Sequence, residues 1–581
     1  MKVMWKAVCA AALLIAATTI EIGCGNTYRP VATPLPVTTG NPSGAETEVV
    51  LNQNPNGGSS VLTTIDVSGD TNAGNKLLNN VVGSAVEGSV LGSLGTPVNV
   101  TATPLAFDFS RTSVFTANTS TDSVTQATLS TTTAGFAAGT TTISLEPGSA
   151  PVGMSFQYFG ATYTQDYVVN SGTTTATCPG TGSITAIAQP SAAVLATICL
   201  GTATTPANPL SAWIYKDQSK VFVLDSKGNV YVVSASKYKV TNTIPVGGTP
   251  IKVAQSATGQ YIYVLNTNGS ITIIDGQAEA VVGTPVSTAI STASLTTAAL
   301  PIDIAQDPNY TDTIANSQYN HIWVLLADGT VNVYDGTTPG QLTWITSLST
   351  ITPAQLTAGV YPTNLALMRD GTGAYVGLGN TSQIVGINTS QLATGGAITM
   401  NAATAITLDV LAGGISRRNV TQTLTDTAGN PHTVTVETTV PTVNSIAVSR
   451  GGNSADLSKV YAATTTSTTY YCYDSNVNPT DCANADPWDG TSSFIVSGCT
   501  DLAGQNAMSC PNLYNGAAVV TAANNGTTPI NTFVTTILSP WVGTYAGPVV
   551  SYCNAGNPAA GQYDGQKNCP AMVPVLVLGR S

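Results

Sequence analysis

The 581-residue chain carries 18 Lys and Arg against 30 Asp and Glu, a formal net charge of −12. An acidic chain without basic clusters lacks the Lys/Arg footprint that nucleic-acid binding needs. With 43% apolar and only 8% charged residues it also lacks the composition of a disordered chain, which pairs low hydrophobicity with high net charge. A folded, β-rich protein with an uncharged polar surface remains.

Lys2 and Lys6 precede an apolar stretch over residues 8–20, which has signal-peptide length and is too short for a comfortable membrane span. Ile22, Gly23 and Cys24 follow, and this resembles the lipobox of bacterial lipoproteins. The resemblance implies a signal peptide over 1–23 and lipidation of Cys24. Glu21 departs from the pattern, which has Leu or another small apolar residue there; ordinary cleavage near Gly23 is the alternative. The protein is then expected in the cell envelope, at the outer membrane or cell surface through the lipid, or otherwise secreted. Contact with the membrane is expected only through that anchor. Removing Lys2, Lys6 and Glu21 from the totals leaves 16 basic and 29 acidic side chains, a net of −13. Residues 24–60 form the anchor and a Pro-, Thr-, Gly- and Asn-rich stretch that reads as a flexible tether.

The first strand is expected at residues 61–67. Further along, VFVLDSKGNVYVVS (221–234), IYVLNTNGSITIID (262–275) and IWVLLADGTVNVYD (322–335) are three copies of one unit. Each is two alternating apolar strands around a turn with Gly at the eighth position: Gly228, Gly269 and Gly329. The fullest copy begins at Pro250 and predicts four strands, at 251–256, 261–266, 270–275 and 280–283. A repeated four-stranded antiparallel meander is a propeller blade, which buries its faces by stacking on neighbours. Blade starts marked by Pro before an apolar strand fall at Pro104, Pro151, Pro209, Pro250, Pro301, Pro362 and Pro441. The fold class is therefore all-β, a β-propeller of seven four-stranded blades over residues 61–581, with six or eight left open. Immunoglobulin-like sandwiches need about 100 residues each, more than the 41-residue step from Pro209 to Pro250. Strands at 61–67 and 572–578 are expected to meet where the ring closes.

Pro250-Ile251-Lys252-Val253-Ala254-Gln255-Ser256, Gly259, Tyr263-Val264-Leu265-Asn266 and Ile271-Thr272-Ile273-Ile274-Asp275 resemble the YVTN repeat. The match is clear over 209–390 and weaker over 100–480. It implies a seven-bladed propeller of the kind found in bacterial and archaeal surface proteins, and it fixes no function.

Eight cysteines remain beyond Cys9 and Cys24, an even number in an exported chain. Spacing favours sequential neighbours: Cys178–Cys199, Cys472–Cys482, Cys499–Cys510 and Cys553–Cys569. Three insertions, at 403–439, 470–528 and 539–569, are the expected functional elements, because loops on a rigid frame carry specificity. The first carries Arg417 and Arg418, the only adjacent basic pair, on an extra hairpin whose removal (413–440) should spare the fold. The third carries Trp541, Tyr545, Tyr552 and Tyr563. These side chains are candidates for binding a surface protein or a carbohydrate; filling small loop cores is the alternative role for the aromatics.

Asp474, Asn476 and Asn478 alternate as calcium ligands do, but Pro479 stands where an EF-hand loop wants Gly, and an Asx-rich turn explains them more simply. No metal or other cofactor is expected. No G-x-S-x-G, HExxH or P-loop occurs, so no catalytic residue is assigned; Asp303, Asp307 and Arg369 could line a channel mouth or cap it structurally. The reading is a surface binding or scaffold module and not an enzyme, with a propeller hydrolase of the lactonase type, acting on a lactone or sugar derivative, as the alternative.

Overall fold

The computed structural model describes residues 47–55, 59–66, 98–100, 106–109, 113–129, 136–156, 164–189, 191–256, 259–288, 300–306, 321–367, 373–388, 400, 404–412, 415–448, 459–482, 500–502, 504–524, 529–539 and 573–578. The repeated unit folds as its pattern dictates. Lys220–Asp225 and Asn229–Ser234 pair antiparallel, as do Tyr261–Asn266 with Ser270–Asp275 and His321–Leu326 with Thr330–Asp335. Gly228, Gly269 and Gly329 sit at φ of 88°, 78° and 80°, the left-handed region that a side chain resists.

Among the described residues the sheets divide into eight antiparallel blades, each with four strand positions, and the three hairpins form the middle of blades 4, 5 and 6. Blade 1 holds Thr47–Gln53, Ser60–Asp66, Val98–Val100 and, from the other end of the chain, Val573–Leu578. Blade 2 is Ala106–Phe109, Ser113–Asn118, Ser123–Leu129 and Phe136–Ser144. Blade 3 is Pro151–Phe156, Gln165–Asn170, Ser183–Ala188 and Val194–Cys199, and blade 4 is Pro209–Ile214, Lys220–Asp225, Asn229–Ser234 and Lys239–Pro245. Blade 5 runs Pro250–Gln255, Tyr261–Asn266 and Ser270–Asp275, with its outer strand split into Ala280–Val281 and Val286–Ser287. Blade 6 is Pro301–Gln306, His321–Leu326, Thr330–Asp335 and Thr343–Ser349; blade 7 is Tyr361–Leu367, Gly373–Gly379, Gln383–Asn388 and Thr404–Thr407. Blade 8 combines Pro431–Val448, Lys459–Tyr471, Gly516–Asn524 and Pro529–Leu538.

The count is one more than the Pro-led starts give. All seven starts lie at or beside the first strand of blades 2 to 8, and the closing strands make a further blade of their own. Its innermost strand, Val573–Leu578, pairs with Thr47–Gln53 and not with Ser60–Asp66, which lies one strand further out. The expected tether is therefore shortened: Val49 and Val50 are fully buried in a blade strand. Two insertion boundaries move for the same reason, because Thr404–Thr407 and Gly516–Asn524 are blade strands.

Proline recurs at the inner strands because it is tolerated at a strand's first residue, where no ladder N–H is needed. At Pro151, Pro209, Pro250 and Pro301 the register slips immediately afterwards. Such a bulge increases local twist and bends the strand.

Each pair of neighbouring blades shares an apolar cluster. Val169 and Ile184 of blade 3 pack with Val221 and Val223 of blade 4, and Tyr375 and Ile384 of blade 7 with Val460 and Val520 of blade 8. The circuit is completed by Val50 and Ile65 of blade 1 against Tyr461 and Ile537 of blade 8, and by Leu51 and Leu62 against Val114 and Leu129 of blade 2. Among the described residues, every blade thus stacks on both of its neighbours.

Candidate functional site

Around the axis, polar groups serve to lace the first strands together. Blades 3 and 4 pair directly and in parallel, Ala212 with Ser155 and Trp213 with Phe156. Asp303, buried on the first strand of blade 6, accepts from Lys252 Nζ of blade 5 at 2.5 Å and from the Leu365 N–H of blade 7 at 3.0 Å. Asn364 of blade 7 exchanges two bonds of 2.9 Å with the Ile446 backbone of blade 8, and Asn444 Nδ2 donates to the Pro574 carbonyl of blade 1 at 2.8 Å. Asp303 therefore has structural partners on both sides; Asp307 and Arg369 lie outside the described residues. His321 is buried in the second strand of blade 6.

A second polar device was only partly visible in the sequence. Asn52, Asn118, Asn170 and Asn266 occupy the same position near the end of a second strand and are fully buried. Each donates through Nδ2 to a Thr on the third strand: Thr63, Thr125, Thr185 and Thr272, at 2.9, 2.9, 2.9 and 3.0 Å. The pairing pins the hairpin from within. Its signal is an Asn closing an apolar strand and a Thr two residues past its cross-strand partner; aligning strand ends would have shown all four.

One buried carboxyl is strongly perturbed. Asp166 shares a strand face with Val168, which packs between blades 2 and 3. Burial raises its pKa from 3.8 to about 7, and the neighbouring Gln189 amide lowers it only in part. Neither Asp166 Oδ2 nor Gln189 Nε2 has a partner of normal hydrogen-bond geometry among the described residues. Because the folded state holds this proton more tightly than the unfolded chain, stability falls as pH rises from 3.8 to about 7. Asp166→Asn should therefore raise stability at pH 8 by about 4 kcal/mol and leave it nearly unchanged at pH 4. Urea unfolding at the two pH values checks this; an equal effect at both would contradict it.

The main departure from the ring is an arm on blade 8. The first strand, Pro431–Val448, is 18 residues long, and only residues 441–448 lie in the blade. Residues 431–440 run on beyond the mouth at which the first strands begin. They form a five-stranded sheet in the order Val420–Thr425, 431–440, 466–471, Ala507–Pro511 and Thr500–Leu502. Thr and Val alternation without Gly favours this continuous strand. The hairpin is thus not a separable insertion: Val436, Glu437 and Thr439 are fully buried, so removing 413–440 would cut into the inner strand's support.

Arg417 is 3% exposed and belongs to the base of the arm, not to a surface patch. Its Nη1 donates to Glu437 Oε2 at 3.0 Å, and the guanidinium lies over the Tyr514 ring, 5.3 Å from its centroid. Thr439 bridges Glu437 and Thr468. Burial and the neighbouring Tyr514 hold the Tyr470 hydroxyl well above its usual pKa. Arg418 is half-exposed, facing Asp409 at 3.8 Å and donating to the Leu408 carbonyl. The expected basic pair is thereby divided into one buried and one partly engaged group.

The tip consists of two matched turns. Asp426 Oδ1 accepts from the N–H groups of Ala428 and Asn430, and Asp474 Oδ1 from those of Asn476 and Asn478. Thr427 Oγ1 links them by donating to Asn476 Oδ1 at 2.5 Å. Bonds from the Asn430 backbone, His432 and the Asn430 side chain hold Asp426 far below the usual carboxylate range; the Asn478 N–H lowers Asp474. Asp474 Oδ1 and Asn476 Oδ1, two of the oxygens in the alternating Asp474, Asn476 and Asn478 series, are thus engaged as acceptors within and between these turns. Among the described residues no group of three or more His, Cys, Asp or Glu could hold a metal.

Disulfides join Cys178 to Cys199 across the outer hairpin of blade 3 and Cys472 to Cys482 beneath the second tip turn. Cys510 is disulfide-bonded, and Cys499, its expected partner, lies outside the described residues. So do Cys24, Cys553, Cys569, Trp541, Tyr545, Tyr552 and Tyr563. No helix among the described residues is long and apolar enough to cross a membrane.

Among the described residues eight stacked blades, the first combining strands from both ends of the chain, define a β-propeller. No family model and no curated protein matches the sequence. Solved structures similar to this chain include Kuenenia stuttgartiensis hydrazine synthase, at 14% identity and TM-score 0.34 over 49% of this chain and 76% of that one. The Neurospora crassa Pan2 WD40 domain is similar at 12% and 0.34, covering 60% and 90%, and the Myceliophteria thermophila Cps50 (Swd1) β-propeller domain at 9% and 0.34, covering 61% and 94%.

Proposed function

We propose that the protein is an exported β-propeller of YVTN-repeat type, anchored to the bacterial envelope through Cys24 or secreted, that serves as a binding or scaffold module. The observation that supports this most is the division of labour in the fold. Polar groups around the axis are used to lace the blades, whereas the arm on blade 8 adds a stapled sheet beyond what closing the ring needs. The disulfides fit an oxidising compartment outside the cytoplasm. A surface protein or a carbohydrate is the partner class, met by the arm and by the segment bearing Trp541, Tyr545, Tyr552 and Tyr563. Expression of the full chain in a diderm bacterium with labelled palmitate tests the anchor. The wild type should carry label in the membrane fraction, and Cys24→Ser should lose both label and membrane association. Equal fractionation of the two would contradict anchoring. Glycan-array and surface-protein binding by the mature chain tests the module, and turnover of lactones without binding would replace it with a hydrolase.

A further inference from the structure

The arm's strand Val420–Thr425 lies on the axis side of Pro431–Val448, because Lys459–Tyr471 occupies the outward side. Its other edge pairs with no strand among the described residues. The Asp426 N–H bonds the Asn430 carbonyl, so ladder alternation directs the backbone groups of Leu424 and Gln422 to the partner strand. Those of Thr421, Thr423 and Thr425 point to the open edge. Natural edges are protected by Lys, Pro or bulges; VTQTLT has no Lys or Pro, and its one register shift lies at the Val420 end.

The mouth from which the arm projects carries exposed apolar side chains at one repeated position, an apolar arc. Leu300, Tyr361 and Val440 each precede the proline of a first strand, in consecutive blades 6, 7 and 8, and are 58, 53 and 47% exposed. Blades 3, 4 and 5 have Ala150, Asn208 and Thr249 at this position. Above the edge, Asp426 and Asp474 are held ionised, with His432 beside Asp426.

From these three features we infer that the arm binds an extended polypeptide of another protein by strand addition. The open edge supplies backbone bonds, the arc receives alternate apolar side chains, and the anionic tip favours a Lys or Arg flank. The inference rests on the proposed binding role and narrows it to one edge and one ligand class.

The probe is a labelled peptide, Lys-Thr-Val-Thr-Val-Thr-Lys, titrated into the mature chain by fluorescence anisotropy. Saturable binding is expected, together with slowed amide exchange at Thr421, Thr423 and Thr425. Thr423→Pro removes an outward N–H, keeps the backbone ladder to Pro431–Val448 and loses only the exposed hydroxyl contact with Thr433, so it should weaken binding at least tenfold with little change in the unfolding midpoint. A Glu-flanked peptide should bind at least tenfold more weakly at low salt. If Thr423→Pro lowers the midpoint, Tyr361→Ser gives the second reading and should weaken binding at least threefold. Absence of saturable binding, full affinity in both variants, or amides already protected in the free protein would each overturn the inference. Retained glycan or surface-protein binding alongside any of these would leave the module intact and move recognition elsewhere.

Discussion

Ending the chain at residue 572 is expected to unfold the ring. The change removes Val573–Leu578, which supplies the innermost strand of blade 1 through five registered pairs with Thr47–Gln53. Ladder bonds contribute about 1 kcal/mol each, and the loss also uncovers the edge beside Val49 and Leu51. Val575 no longer packs on the cluster between blades 1 and 2, and Asn444 loses its acceptor at Pro574. A cost of about 5 kcal/mol or more is comparable with the whole net stability of a domain. Circular dichroism and size exclusion at 37 °C should show an expanded or aggregated chain, and a peptide covering 573–578 should restore part of the native signal. A truncated protein with the wild-type unfolding midpoint would mean that the strand adds nothing to closure.

Arg417→Ala should destabilise the protein by about 3–5 kcal/mol, because it leaves the Glu437 carboxylate buried without its counter-ion. Tyr514 also loses the cation above its ring. Replacing both partners by apolar residues of similar size, Arg417→Met with Glu437→Leu, should be far milder than either single change, since no charge is then stranded. Urea unfolding of the two single variants and the double variant gives the coupling directly. A single-variant loss below about 1 kcal/mol would place Arg417 on the surface, where ion pairs contribute that little.

Legibility in the sequence followed the range of the interactions. The hairpins around Gly228, Gly269 and Gly329 are local, and alternation with one left-handed glycine specifies them. The Pro-led starts were equally visible because a strand's first residue and its bulge are local features. Blade 1 was half legible: residues 61–67 and 572–578 read as strands that meet at the closure and do share this blade, but Thr47–Gln53, which lies between them, sits beside a Pro- and Asn-rich stretch that reads as tether. The arm was half legible: residues 420–425 and 433–438 stand out as a hairpin, but nothing local shows that the second strand continues through Val440 and Pro441 into the ring. Arg417 shows the same limit. An adjacent basic pair reads as surface, and only the tertiary placement of Glu437 and Tyr514 makes one member a core residue.

The closed eight-bladed ring is tested most directly by a double variant, Gln53→Cys with Val573→Cys. These positions are cross-strand partners at the rim end of blade 1, and both are half-buried, so the substitutions disturb little. After mild oxidation and digestion, peptide mapping should find the two new cysteines joined within one chain, with the Cys178–Cys199 and Cys472–Cys482 links unchanged. Free thiols at 53 and 573, or links formed only between chains, would contradict a ring closed by its own two ends.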